Sequence, residues 1–207
     1  VWNEAVAVAD PTCVVVQVEA VTGIYVDHYI VVDFGGFKDM VDAVGGVEVC
    51  LPAAVDDDEH NIHLDAGTHT LAGDQALAYV RQRSSTPNAD LGRMRRQQAF
   101  VASMLAKLTS ARMLTRPDRL LEFASAVAGS ITTNPEIGSV GRLYRLGESL
   151  RGAHLDRIRF VTAPTVEFPV GDPNWGRLRF TAQADALWQR VIDDRPLGAL
   201  GKQAISG

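Results

Sequence analysis

The chain has 207 residues, 20 Lys and Arg against 25 Asp and Glu for a formal net charge of −5, and 46% hydrophobic but only 7% aromatic residues. That length supports one sizeable core, and the composition is that of an ordinary globular protein rather than a disordered, fibrous or membrane-spanning one. A negative sum excludes nucleic-acid or anionic-lipid binding by the surface as a whole, so any anionic partner must be met locally. Lysine occurs only at Lys38, Lys107 and Lys202, which leaves seventeen arginines, the residue that grips carboxylate or phosphate with two parallel bonds. Cys13 and Cys50 are too far apart for a CxxC site or a zinc ribbon and leave either one disulfide or two buried thiols.

Asp10-Pro11 predicts an N-cap with proline at the first helical position, and Val14, Val15, Val18 and Val21 continue that helix to Gly23. Tyr29 to Phe34 (YIVVDF) predicts a buried strand. Phe37, Met40, Val41 and Val44 then recur at helical spacing until Gly45-Gly46, and Val47 to Leu51 (VEVCL) predicts the next strand. Strand, helix and strand in succession predict an α/β layer with a crossover.

Residues 55–66 (VDDDEHNIHLDA) hold five acids and no Lys or Arg, which predicts a solvated acidic loop. A helix from Asp74, carrying Ala76, Leu77 and Val80, runs into Arg81-Gln82-Arg83 before the turn-rich Ser84 to Asn88. Asp90 can cap the next helix, where Leu91, Met94, Gln98, Val101, Leu105 and Leu108 predict about five turns. Beyond it, helices follow Pro117 and Asn134-Pro135, Arg157 to Thr162 alternates as a strand, and a last helix begins at Thr181.

Between Arg81 and Arg96 lie five arginines and one acid, a local charge of +4 in a chain whose total is −5. Were the backbone to become extended near Val80, Arg81 and Arg83 would point the same way. In the following helix Asp90, Arg93 and Gln97 fall at i, i+3 and i+7 on one stripe. Such a nest of planar donors suits phosphate or pyrophosphate. An arginine-rich helix solvated on its outer face, with Asp90 as cap and salt-bridge partner, would give the same pattern. His60-x-x-His63 with Asp56, Asp57, Asp58 and His69 has metal-ligand composition, but a flexible loop is a poor frame for convergent ligands. Neither GxSxG nor GxxxxGK[ST] occurs.

The strings DHYIVVDFGGFKDMVDAVGGVEVCLP at Asp27 to Pro52, LDAGTHTLAGDQALAYVRQR at Leu64 to Arg83 and DLGRMRRQQAF at Asp90 to Phe100 resemble the LytR-CpsA-Psr (LCP) family of cell-wall glycopolymer transferases. The resemblance implies an α-β-α sandwich with a central mixed sheet flanked by helices, as one catalytic domain over residues 1–195 followed by a tail at 196–207. It implies an extracytoplasmic phosphotransferase, held at the membrane by an amino-terminal helix, that moves a glycopolymer from a polyprenyl-pyrophosphate carrier to peptidoglycan. The polymer would be of arabinogalactan or teichoic-acid type. A non-catalytic fragment that holds prenyl phosphate or wall glycan is the alternative.

Carried over by motif, Arg81, Arg83 and Arg93 contact the pyrophosphate, Gln97 orients, and Asp90 either holds an arginine or takes the acceptor's proton. Arg95 and Arg96 are expected to be structural. Magnesium or manganese is implied, but the family's metal-binding aspartates and its Pro-Arg-Asp motif fall ahead of Val1, so no metal ligand is expected in this chain. Cys13 and Cys50 match the cysteine pair of the actinobacterial branch, which implies that they form a disulfide.

Overall fold

The computed structural model describes residues 10–82, 89–110, 117–139, 141, 142, 145, 158–203, 205 and 206. They fall into two compact units, one from residues up to Tyr29 together with Val161–Ala204, the other from Ile30–Phe160 with the last three residues.

In the first unit, helix α1 (Pro11–Thr22) starts where the sequence predicts: the Asp10 carboxylate accepts the Thr12 amide at 2.9 Å, satisfying a first-turn donor. The same carboxylate takes the Thr12 hydroxyl, and these bonds hold the Asp10 carboxyl below its usual range. Gly23, at φ 70°, closes the helix with its amide on the Glu19 carbonyl. Strands β8 (Thr165–Glu167) and β9 (Leu178–Phe180) pair antiparallel, Thr165 opposite Phe180. Helix α6 (Ala182–Ile192) follows, with Ala184 and Leu187 buried and Trp188 edge-on to Phe180 at 5.7 Å. A 3-10 turn at Gly198–Gln203 lies within the stretch expected as a tail.

The second unit opens with β1 (Ile30–Val32), shorter than predicted because the Asp33 carboxylate takes the Gly36 amide at 2.8 Å and starts helix α2 (Phe34–Ala43) at once, and not buried as predicted, since Ile30 and Val32 are exposed. Gly45 and Gly46, at φ 73° and 79°, turn the chain into β2 (Val47–Leu51). A side chain at Gly46 would be strained and would meet Thr70 Cγ2 at 2.8 Å, so only glycine suits that turn. β2 alternates strictly, with Val47, Val49 and Leu51 buried and Glu48 and Cys50 outside. Among the described residues β1 and β2 are not joined in one sheet by the predicted crossover. β2 pairs antiparallel with β5 (Gly67–Leu71), Val47 opposite Leu71, and β1 pairs antiparallel with β6 (Ile131–Thr133). The last strand, β10 (Ile205–Ser206), pairs with β7 (Arg159–Phe160), so part of the expected tail is sheet.

The expected acidic loop is a hairpin of β3 (Val55–Asp57) and β4 (Ile62–Leu64). Its polar composition hides that Val55 and Ile62 are buried and anchor it to the core. Among the described residues the strands form two-stranded antiparallel ladders, with helices α3 (Gly73–Arg81), α4 (Ala89–Thr109) and α5 (Pro117–Ser130) completing an α/β unit. Val41, Val44, Val47, Leu71, Ala76, Tyr79, Val80 and Phe100 form the centre of the core, and Phe37 packs on Phe100 at 5.6 Å between ring centroids. Burying a side chain such as Phe100 stabilises by about 1.5–3 kcal/mol.

Candidate phosphate site at the end of helix α3

Helix α3 has no capping side chain of its own. Asp42, at the end of α2, fills that role by accepting the Gly73 amide at 2.8 Å, and Lys38 pairs with Asp74 at 3.0 Å. With its start held, α3 turns Ala76, Tyr79 and Val80 into the core, packs Ala78 against it, and leaves Asp74 and Arg81 exposed. The helix continues through Arg81, so the extended backbone considered near Val80 is absent; the change comes one residue later, at Gln82 (φ −59°, ψ 137°).

Arg81 therefore stands in the last helical turn, where the helix dipole favours a cation. Its guanidinium lies 4.8 Å from the ring centroid of Phe34. Among the described residues no ion pair or hydrogen bond engages it.

Helix α4 ties itself to the same helix end. Gln97 Nε2 donates to the Val80 carbonyl at 3.0 Å, and Arg96 Nη1 donates to the Gln82 carbonyl at 2.6 Å. Both bonds satisfy carbonyls at or just past the helix end. The Arg96 guanidinium also lies 5.1 Å from the Tyr79 ring centroid. Burial raises the Tyr79 hydroxyl above its ordinary pKa, and the Arg96 charge and hydrogen bond partly oppose that rise.

The candidate residues divide as follows. Arg81 and Gln97 come together at the end of α3, and Arg93 lies one turn before Gln97 on the same face of α4, half-buried and engaged with other groups. Gln97 grips the backbone one residue before Arg81. Helix α4 begins at Ala89, so Asp90 is inside its first turn rather than at the cap. The Asp90 side chain and all of Arg83 lie outside the described residues. Arg96 is bonded to the Gln82 carbonyl, and Arg95 is exposed. Phe34, Tyr79 and Gln82 were not among the candidates; the one signal for Phe34 was its place directly after an aspartate able to cap a helix.

A cavity of about 550 Å³ adjoins Arg81, lined also by Glu59, His60, Asn61, Asp74, Gln75, Leu77 and Ala78. Two groups on the hairpin have donor sets that suit a divalent cation, Asp56 with Asp58 and His63, and Asp57 with Glu59 and His60, each with ligand atoms within 4.8 Å of one another. The hairpin supplies the convergence that a loop would lack. The Asp57 carboxylate also accepts the His60 amide at 3.0 Å and Asp56 meets His63 Nδ1 across the ladder, so both groups already serve the turn. His69 turns away, its Nε2 2.8 Å from the Asp65 carbonyl. Cys13 and Cys50 are exposed free thiols, so this structure shows neither the expected disulfide nor the buried-thiol alternative. No described helix is long and apolar enough to cross a membrane.

An α/β unit with an arginine presented at a helix end defines a candidate anion-binding protein. The chain belongs to the LytR_cpsA_psr family, whose sequence profile residues 2–189 match. The cell wall biosynthesis protein LcpA of Corynebacterium glutamicum is 40% identical over 180 residues, covering 86% of this chain and 34% of that protein. The probable cell wall biosynthesis protein LcpB of the same organism is 38% identical over 189 residues, covering 91% and 44%. Among solved structures, Bacillus subtilis TagV superposes with a TM-score of 0.65 at 26% identity, over 87% of this chain and 68% of that one. The LytR-Csp2A-Psr enzyme from Actinomyces oris does so with a TM-score of 0.66 at 26% identity, over 81% and 64%. The fold is thus the LCP fold, and the chain spans less than half the length of the two Corynebacterium relatives.

Proposed function

We propose that the protein is a phosphotransferase that moves a glycopolymer of arabinogalactan or teichoic-acid type from a polyprenyl-pyrophosphate carrier to a hydroxyl of peptidoglycan. The acceptor oxygen bonds to the phosphorus that carries the glycan, the bond from that phosphorus to the bridging oxygen breaks, and polyprenyl phosphate leaves. No external energy source is needed, because the donor's own pyrophosphate bond is consumed. Supporting this reading are the family membership and the Bacillus relative named polyisoprenyl-teichoic acid–peptidoglycan teichoic acid transferase TagV, 35% identical over 113 residues.

The observation that carries the site is the Gln97 bond to the Val80 carbonyl, which holds Arg81 of α3 and the Arg93-bearing helix α4 in one frame. In this reading Arg81, Arg83 and Arg93 bind the pyrophosphate oxygens, where fixed guanidinium donors stabilise developing charge. Asp90 either holds one of these arginines or accepts the proton of the acceptor hydroxyl. A divalent cation, magnesium or manganese, would supply further charge neutralisation when bound. No described carboxylate pairs with Arg81, and the hairpin groups suit such a cation by donor type alone, so no step is assigned through it.

Residues 1–195 act as one LCP domain in this proposal, in an extracytoplasmic protein held at the membrane through an amino-terminal anchor. Both thiols are free in this structure; the family resemblance supports their oxidation to a disulfide in that compartment, which would stabilise the fold by about 3–4 kcal/mol. Counting alkylated thiols before and after reduction checks the pairing; two free thiols in the secreted protein would overturn it. The function is tested with the full-length protein, a polyprenyl-pyrophosphate disaccharide, peptidoglycan and manganese or magnesium. Arg81→Ala and Arg83→Ala should each lose most transfer, and full transfer by either would overturn that residue's role.

A further inference from the structure

Phe34 stands alone among the aromatic residues of α2. Phe37, one turn on, packs against Phe100 in the core, whereas Phe34 is 60% exposed and has no core role. Large exposed apolar side chains are common singly and need no explanation by themselves. This one has a specific partner, because its ring lies 4.8 Å from the Arg81 guanidinium carbon.

The geometry points to Phe34 as a positioning residue for Arg81, a platform that fixes the guanidinium by its face while leaving its in-plane N–H donors for a pyrophosphate. This rests on the phosphate reading of Arg81 above and deepens it. A guanidinium binds phosphate through the edge of its plane, in parallel bonds, and binds an aromatic ring through its face. The two modes do not compete. Engagement by a carboxylate would fix the side chain but occupy the donors and cancel the charge, and among the described residues none does so. The platform is itself held. Asp33 accepts the Gly36 amide at 2.8 Å and pins the first turn of α2, which begins at Phe34. At the other side, the Gln97 bond pins the last turn of α3 one residue before Arg81.

The test is equilibrium binding of a polyprenyl pyrophosphate, and of the corresponding polyprenol without phosphate, to the full-length protein. Phe34→Leu should weaken pyrophosphate binding about two- to fivefold, the size of an exposed cation–ring contact, while Phe34→Tyr and Phe34→Trp restore it. Polyprenol binding should stay unchanged in all three. In an Arg81→Ala background, Phe34→Leu should cost nothing more, since the group it positions is gone. Wild-type pyrophosphate binding by Phe34→Leu overturns the platform and leaves the phosphate reading intact. An equal loss for polyprenol, or a further loss in the Arg81→Ala background, also overturns it, because Phe34 then touches the ligand itself. Wild-type binding by Arg81→Ala overturns the phosphate reading and the platform together.

Discussion

Arg81 and Arg96 both stand at the end of helix α3, and each lies over an aromatic ring. Arg96 covers Tyr79, a core residue, and its donor is committed to the Gln82 carbonyl at 2.6 Å. Arg81 covers Phe34, an exposed residue, and among the described residues has no acceptor. One guanidinium therefore closes a helix end, and the other is presented by it. A hydrogen bond turned inward adds stability, whereas a fixed charge turned outward can serve a ligand.

That contrast separates stability from activity. The largest expected effect is on Arg81: in the full-length protein Arg81→Ala should lower transfer by about 100- to 1,000-fold, the scale for removing one charge-stabilising donor, with only a small drop in the thermal midpoint. Arg96→Ala should do the reverse. It removes a charged hydrogen bond and leaves the Gln82 carbonyl without that donor, for a loss of about 1.5–3 kcal/mol in denaturant titration. Gln97→Ala should cost less stability, about 1 kcal/mol, and should also lower transfer, because the bond it loses aligns Arg81. Unchanged stability in Arg96→Ala would erase the distinction between the two arginines.

The smallest effect is a pH dependence. Burial raises the folded-state pKa of Tyr79 above the ordinary 10.0, so its contribution to stability is present below about pH 10 and is lost as pH climbs through the raised value. Tyr79→Phe should remove that alkaline slope from unfolding curves. Arg96→Ala should move the tyrosinate titration, read by ultraviolet absorbance, to still higher pH, since the opposing cation is gone.

Much of this arrangement was legible where a local rule acts alone. Asp10, Pro11 and Gly23 bound α1 as capping chemistry requires, and the alternation of Val47, Val49 and Leu51 marked β2 and its buried face. Long-range pairing was not. The partner of β1 lies about a hundred residues away at β6, and no local pattern selects an antiparallel ladder there over a crossover. The 55–64 hairpin was obscured because two buried residues, Val55 and Ile62, outweigh the acids around them.

In the site, the motif arginines were legible as a cluster of charge, but which guanidinium turns outward depends on tertiary contacts. Arg96 and Gln97 are adjacent in sequence, and both reach back to backbone carbonyls that the end of α3 leaves exposed. Phe34 was hidden by a boundary, since the strand pattern of YIVVDF runs into a residue that the Asp33 cap places in a helix.

The most direct measurement of the central claim is calorimetric binding of a polyprenyl pyrophosphate to the full-length protein and to Arg81→Ala, Arg81→Lys and Arg96→Ala. The account predicts at least a tenfold loss (about 1.4 kcal/mol) for Arg81→Ala, little recovery with lysine, which lacks the planar fork, and near-native affinity for folded Arg96→Ala. Equal affinity for the wild type and Arg81→Ala, or a greater loss at Arg96, would contradict it.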